Sequence, residues 1–264
     1  MSTAETRTWK LVVAYDGARF KGWQRGNGRT VQSTLEAAIS ESLAELSAGG
    51  VAAEAPVRVD GSGRTDAGVH AEGQVASLIL PAGVDVRLLH TSVNRQLPPD
   101  LTLLSLEEAD HRFHARYRAT AKTYRYRIVD GAVGDPFLRR YSLREPASLD
   151  VGRMQSAAVA FLGTHDFSSF TADRPKPNKE RTVHSIEFAR TGVSFVRPLD
   201  IFVRGDGFLW KQVRIMVSAL VAAGKGEIDA AGIEGILAAR DRSLAPPPAP
   251  AHGLTLIAVE YGAS

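Results

Sequence analysis

The sequence predicts an α+β fold built from two ferredoxin-like β-α-β-β-α-β halves, their strands forming a largely antiparallel sheet with a central cleft. Three observations predict it. Short stretches alternate apolar and polar residues at period 2, while longer ones space apolar residues as a helix does. These two kinds of stretch follow one another in the same order twice along the chain. Hydrophobic residues make up 44% of 264 positions, enough for a core in each half.

The first half begins with TWKLVVAYDG, a strand alternating around Leu11 and Val13. RTVQSTLEAAISESLAEL places Val31, Leu35, Ile39, Leu43 and Leu46 on one helical face, with Thr30 or Ser33 as N-cap. PVRVD reads as a short strand, and QVASLIL as a buried one. DVRLLHTSVNRQL is a helix capped by Asp85 and stopped by Pro98 and Pro99. LTLLSL closes the half as a strand.

In the second half, KTYRYRIV is a strand, with Tyr124, Tyr126 and Ile128 on one face and Thr123, Arg125 and Arg127 on the other. SLDVGRMQSAAVAFLG is a helix ended by Gly163. TVHSIEFART and VSFVRPLDIFVRG are strands joined at Thr191 and Gly192, and Pro198 makes the second an edge or bulged strand. FLWKQVRIMVSALVAAG is an apolar helix with Lys211 and Arg214 on one side. DAAGIEGILAARD adds a helix, APPPAP a stiff spacer, and GLTLIAVEY a last strand. The expected domains are residues 1–110 and 111–264, joined near residues 107–120.

Composition excludes several chemistries. The chain has no cysteine, which removes disulfides, thiolate catalysis and Cys-ligated metal, and fits a cytoplasmic protein. Its seven histidines are scattered and suggest no metal site; His70 and His165 read as satisfied polar groups. No apolar run is long enough for a membrane span, and the polar start MSTAETRTWK lacks a secretory apolar segment. The net charge of +3 is too small to imply a nucleic-acid partner. Of the 32 basic residues, however, 25 are arginine, whose planar fork suits phosphates and bases, although a GC-rich genome gives the same bias.

The most informative stretch is GSGRTDAGVHAEGQVASL, which sets Asp66 two residues after Arg64 among glycines. The ordinary reading is a turn in which Asp66 bonds its own loop backbone before Gly68. The functional reading is a carboxylate kept ionised by Arg64 and placed where bare backbone lets a substrate approach. A glycosidase would need a second carboxylate opposite Asp66, and nothing places Asp16 or Asp60 there. The phosphate-loop pattern is absent. On KTYRYRIV, aromatic residues suit any strand, and one tyrosine could also stack on a base and move a proton.

Seven segments in order then resemble one family: YDGARFKGWQ, RTVQSTLE, GRTDAGVHA, FHARYRATAKTYRYRI, HDFSSF, GFLWKQVR and GLTLIAVEY. They are similar to the bacterial tRNA pseudouridine synthase A family and cover nearly the whole chain. The resemblance implies a cofactor-free, metal-free isomerisation of uridine in the tRNA anticodon stem-loop. It implies Asp66 as nucleophile or base, Arg64 as its partner, Tyr124 as the residue stacked on the uracil, and Arg214 as a second basic group near the carboxylate. Leu254 or Leu256 would floor the ring. It implies tRNA contacts at Phe113, His114 and Arg116 in FHARY, and at Lys176 and Lys179 in the basic loop of residues 173–181. It further implies a homodimer that binds tRNA across two subunits. A noncatalytic RNA-binding module on the same fold is the alternative, and it would not need Asp66.

Overall fold

The structure is a computed structural model that describes residues 5–46, 56–172, 178–192 and 195–262. The chain divides into two compact units, Met1–Ala119 with Ile257–Ser264, and Thr120–Leu256. Both are mixed α and β, with mostly antiparallel strand pairing.

The first unit contains β1 (Thr6–Tyr15), α1 (Val31–Leu46), β2 (Val59–Gly61), β3 (His70–Pro81), α2 (Val86–Gln96) and β4 (Leu101–Ala109). Its sheet runs β4-β1-β3-β2, every neighbour antiparallel, which is the ferredoxin-like order. Along β1 the inward residues Leu11, Val13 and Tyr15 are buried, as the alternation predicts. Helix α1 starts where Thr30 and Ser33 cap it reciprocally: each side-chain oxygen accepts the other residue's main-chain N–H at 3.3 Å. Asp85 caps α2 by accepting from the N–H groups of Arg87 and Leu88 at 3.0 and 3.1 Å. Leu35, Ile39, Leu89 and Val93 of the two helices are buried, as are Leu11, Leu78 and Leu103 of the sheet.

The second unit contains β5 (Ala119–Asp130), β6 (Leu143–Glu145), α3 (Val151–Ala158), β7 (Gly163–Asp166), β8 (Glu180–Arg190), β9 (Leu199–Gly205), α4 (Gln212–Gly224), α5 (Ala230–Ala239) and the first three residues of β10 (Leu254–Tyr261), whose remainder belongs to the first unit. Strands β10, β5, β9 and β8 lie in that order, the ferredoxin-like pattern again, with β7 added beside β8. The alternation along β5 holds: Tyr124, Tyr126 and Ile128 are buried, and Arg127 makes a two-pronged ion pair with buried Asp200, both contacts 2.7 Å. A cluster of Phe161, Phe167 and Phe170 fills the space under α5, with Phe161 and Phe170 edge to face at 4.9 Å.

Three local expectations change. The strand from Val193 does not run through residues 195–198; β9 begins at Leu199, directly after Pro198, because proline has no N–H for a ladder. Strand β9 lies between β5 and β8, so it is not an edge; Val193 and Ser194 lie outside the described residues. Helix α4 starts at Gln212, so Leu209 and Lys211 are not on it; Lys211 precedes it with a left-handed backbone, φ 62°. Residues 245–250 are more than a spacer. Ala249 is buried; its carbonyl accepts from the Arg214 side-chain Nε at 2.7 Å and its N–H donates to Arg214 O at 3.1 Å, and Pro250 O accepts from the Tyr126 hydroxyl at 2.9 Å. No helix among the described residues is long and apolar enough to cross a membrane.

Candidate active site

Asp66 lies in the loop between β2 and β3. The loop is short of regular structure, yet its main chain is closely held. Ser62 N–H donates to Val75 O at 2.7 Å, and Ser62 Oγ donates to Gln74 Oε1 at 2.7 Å. Gln74 Nε2 donates to Gly63 O at 3.0 Å. The hydroxyls of Tyr15 and Thr65 are 2.8 Å apart. Beyond Asp66 the chain turns, Val69 N–H donating to Asp66 O at 3.1 Å. Gly68 sits at the third position of that turn with φ 81°, a conformation that other residues adopt only under strain. Exposure alternates through the loop, with Arg64 exposed, Thr65 buried and Asp66 half-buried.

A second loop supports the first. Trp23 N–H donates to Thr65 O at 3.1 Å, and Val31 N–H and Gln32 N–H return to the carbonyls of Gly22 and Trp23. Gly22 has φ 96°, and a Cβ there would stand 2.7 Å from Thr65 O. The Trp23 and Tyr15 rings pack with centroids 6.3 Å apart. Arg29 forks onto Asp100 at 2.6 and 3.0 Å and covers the Phe20 ring, which pins the far end. Glu36, buried on α1, accepts Val59 N–H at 3.0 Å and pairs with Arg25, tying this loop, α1 and β2 together.

Burial pushes the Tyr15 phenol well above its usual range, and its bonds toward Thr65 and Gln74 offset part of that rise. The hydroxyl stays neutral and keeps its hydrogen bond through ordinary pH. His70, also buried, has Nδ1 at 3.1 Å from both Gly17 N and Asp16 Oδ1. Among the described residues, no three His, Asp or Glu side chains converge as metal ligands.

In the second unit, Tyr124 is buried on β5 and meets Phe208 edge to face at 5.4 Å. Arg214, in the first turn of α4, donates from Nε to Ala249 O at 2.7 Å. Its charge acts on Tyr126, whose phenol burial nevertheless holds far above its usual range. Leu254 and Leu256, at the start of β10, are both buried.

The tRNA pseudouridine synthase family model matches residues 11–118 and 157–262. The chain belongs to the tRNA pseudouridine synthase family. It is 40% identical over 240 residues to tRNA pseudouridine synthase A of Bacillus sp. (strain KSM-64), covering 90% of this chain and 93% of that one. It is 41% identical over 246 residues to the protein of that name from Halalkalibacterium halodurans, covering 92% and 89%. The Streptococcus thermophilus (strain CNRZ 1066) protein of that name is 38% identical over 258 residues, covering 96% and 98%. The family makes this chain an isomerase.

Within this tRNA pseudouridine synthase, the residues singled out from sequence come from both units. Asp66 and Arg64 share the first unit's loop, but Arg64 is exposed and engages no carboxylate among the described residues. Thr65, between them, is buried. Phe113, His114 and Arg116 follow β4: the Phe113 ring lies 5.0 Å from Tyr261, His114 lies 4.4 Å from Tyr117, and Arg116 is exposed. Lys179 is half-exposed beside β8, and its charge helps hold Asp166 below the usual carboxylate range. Lys176 lies outside the described residues. His165 is satisfied, with Nε2 at 2.7 Å from Leu162 O.

Sequence reading passed over Tyr15, Thr65 and Gln74. One signal was available: Gln74 is a polar residue at the head of a largely apolar stretch, QVASLIL, at a buried position of β3. Its partners are too distant along the chain for any local pattern to show.

Proposed function

We propose that the chain converts uridine to pseudouridine in the anticodon stem-loop of tRNA, with Asp66 as the reacting carboxylate. The N1–C1′ glycosidic bond breaks, the base turns, and a C5–C1′ bond forms. The C5 proton leaves and N1 takes one up, so atoms and oxidation state balance without a cofactor or metal. The observation that supports this most directly is the GRTDAGVHA loop: its main chain is tied down on both sides of Asp66, while Asp66 itself stays half-buried. Such a loop can present a carboxylate in one geometry to an extruded nucleoside.

In this reading Arg64, exposed in the same loop, enters the gap that the extruded base leaves in the stack. Tyr124 stacks on the uracil and assists transfer of the C5 proton, and Arg214 is a further positive group serving the same carboxylate. Phe113, His114, Arg116, Lys176 and Lys179 contact the tRNA. The protein acts in the cytoplasm as a homodimer with one tRNA spanning both copies.

Mapping pseudouridine in tRNA from cells lacking the protein tests the substrate. Loss confined to the anticodon stem-loop is expected; loss in another arm would refute the assigned position. Sedimentation of the pure protein at working concentration tests the dimer, and a monomer alone would remove it.

A further inference from the structure

The carboxylate's loop is held by buried, neutral side chains. Tyr15 is 5% exposed and Gln74 0%. Tyr15 sits at the end of β1 and reaches Thr65, the residue immediately before Asp66, hydroxyl to hydroxyl at 2.8 Å. Gln74 sits on β3 and holds two points farther upstream, accepting from Ser62 Oγ at 2.7 Å and donating to Gly63 O at 3.0 Å. Ser62 and Thr65 are themselves buried. Three attachment points, at Ser62, Gly63 and Thr65, therefore fix the approach to Asp66, and the Gly68 turn fixes its exit.

An apolar core needs no such network. A leucine at position 74 would fill similar space, and a phenylalanine at position 15 would keep the ring packing against Trp23. What the polar atoms add is direction, because hydrogen bonds fix where the main chain stands and apolar packing does so less tightly. We propose that Tyr15 and Gln74 are positioning residues for Asp66, acting through Thr65, Ser62 and Gly63 to hold its carboxylate in the reactive orientation; this rests on Asp66 being the reacting group.

The test uses the full-length protein and an unmodified tRNA transcript. It measures single-turnover pseudouridine formation, tRNA affinity and melting temperature, with each assay run well below the variant's melting point. Tyr15→Phe, Thr65→Val and Gln74→Glu should each slow the chemical step by about tenfold or more, since small misplacements of reacting groups are costly. Affinity for tRNA should stay within about twofold, which separates orientation from binding. Thr65→Ser keeps the hydroxyl and should retain most of the rate. Joining Tyr15→Phe to Thr65→Val should add little, because both delete the same bond.

A melting point that falls while the chemical rate stays at the wild-type value would overturn the proposal and leave a purely structural network. Equal loss in affinity and rate would also overturn it. Should Thr65→Val fail to fold, Tyr15→Phe, which removes one oxygen, decides the matter. If the wild-type protein forms no pseudouridine, the function itself is wrong. If the wild type is active and Tyr15→Phe and Gln74→Glu match it, only this inference fails.

Discussion

The main-chain N–H of Trp23 donates to the carbonyl of Thr65 at 3.1 Å, joining two loops that are far apart in sequence. This bond requires close backbone approach, and Gly22 provides it with φ 96° and no side chain. Gly22→Ala adds a Cβ that would stand 2.7 Å from Thr65 O. It should cost about 1–3 kcal/mol in stability through backbone strain and steric conflict. Denaturant unfolding measures the loss, and pseudouridine formation should fall with it as the Asp66 loop shifts.

Arg214 is fastened by the donation of its Nε to Ala249 O at 2.7 Å. Lysine carries a charge but cannot reproduce this side-on bond together with a second set of donors. Arg214→Lys should therefore lose activity at least about tenfold, an interaction of 1.4 kcal/mol or more, despite keeping the charge. Steady-state kinetics on a tRNA transcript would show it, and wild-type turnover would refute the role of the fork.

Acid stability should depend on Asp130. Burial pushes its carboxyl pKa up, but hydrogen bonds from Arg190 and from Leu149 N–H, with the Arg190 charge, outweigh that and hold it below the usual carboxylate range. A depressed carboxylate contributes stability that is present above the unfolded pKa and is lost as pH falls through the lower folded value. The second unit should thus keep this contribution at neutral pH and lose it below about pH 4. Asp130→Asn should be less stable at pH 7 and show a flatter acid limb in melting temperature against pH. An unchanged acid limb would contradict the assignment.

The tRNA-contact assignment predicts a salt-dependent signature for Arg116, and its neighbour Tyr117 extends the same surface. Arg116 is exposed, so Arg116→Ala should weaken tRNA binding and lower the slope of log affinity against log salt by about one. Tyr117 is 77% exposed and backed by the His114 ring, an arrangement that suits stacking on a base. Tyr117→Ala should cost about 1–3 kcal/mol of binding, as loss of a stacked base does. Filter binding at several salt concentrations measures both.

Much of the fold was legible because local chemistry agreed with the final packing. The spacing of Leu35 and Ile39, the Asp85 cap and the alternation from Tyr124 to Ile128 each match the element they predict. The start of α4 was not legible, because that helix is buried on nearly all sides and its apolar run continues smoothly into the turn at Leu209 and Lys211. Strands β6 and β7 are three and four residues long, and their pairing depends on distant neighbours rather than on their own pattern. The Asp66 loop announced itself through glycines and adjacent charges. Its supports did not, since Tyr15, Gln74 and Glu36 come from β1, β3 and α1 and look like ordinary element residues until the fold brings them together.

The most direct test of the central claim follows tritium released from C5-labelled uridine in a tRNA transcript, comparing the wild type with Asp66→Asn. The side chains have nearly the same shape, so tRNA binding should persist. The wild type should release tritium and form pseudouridine, and the asparagine variant should do neither above background. Release by Asp66→Asn at close to the wild-type rate would contradict the claim that this carboxylate does the chemistry.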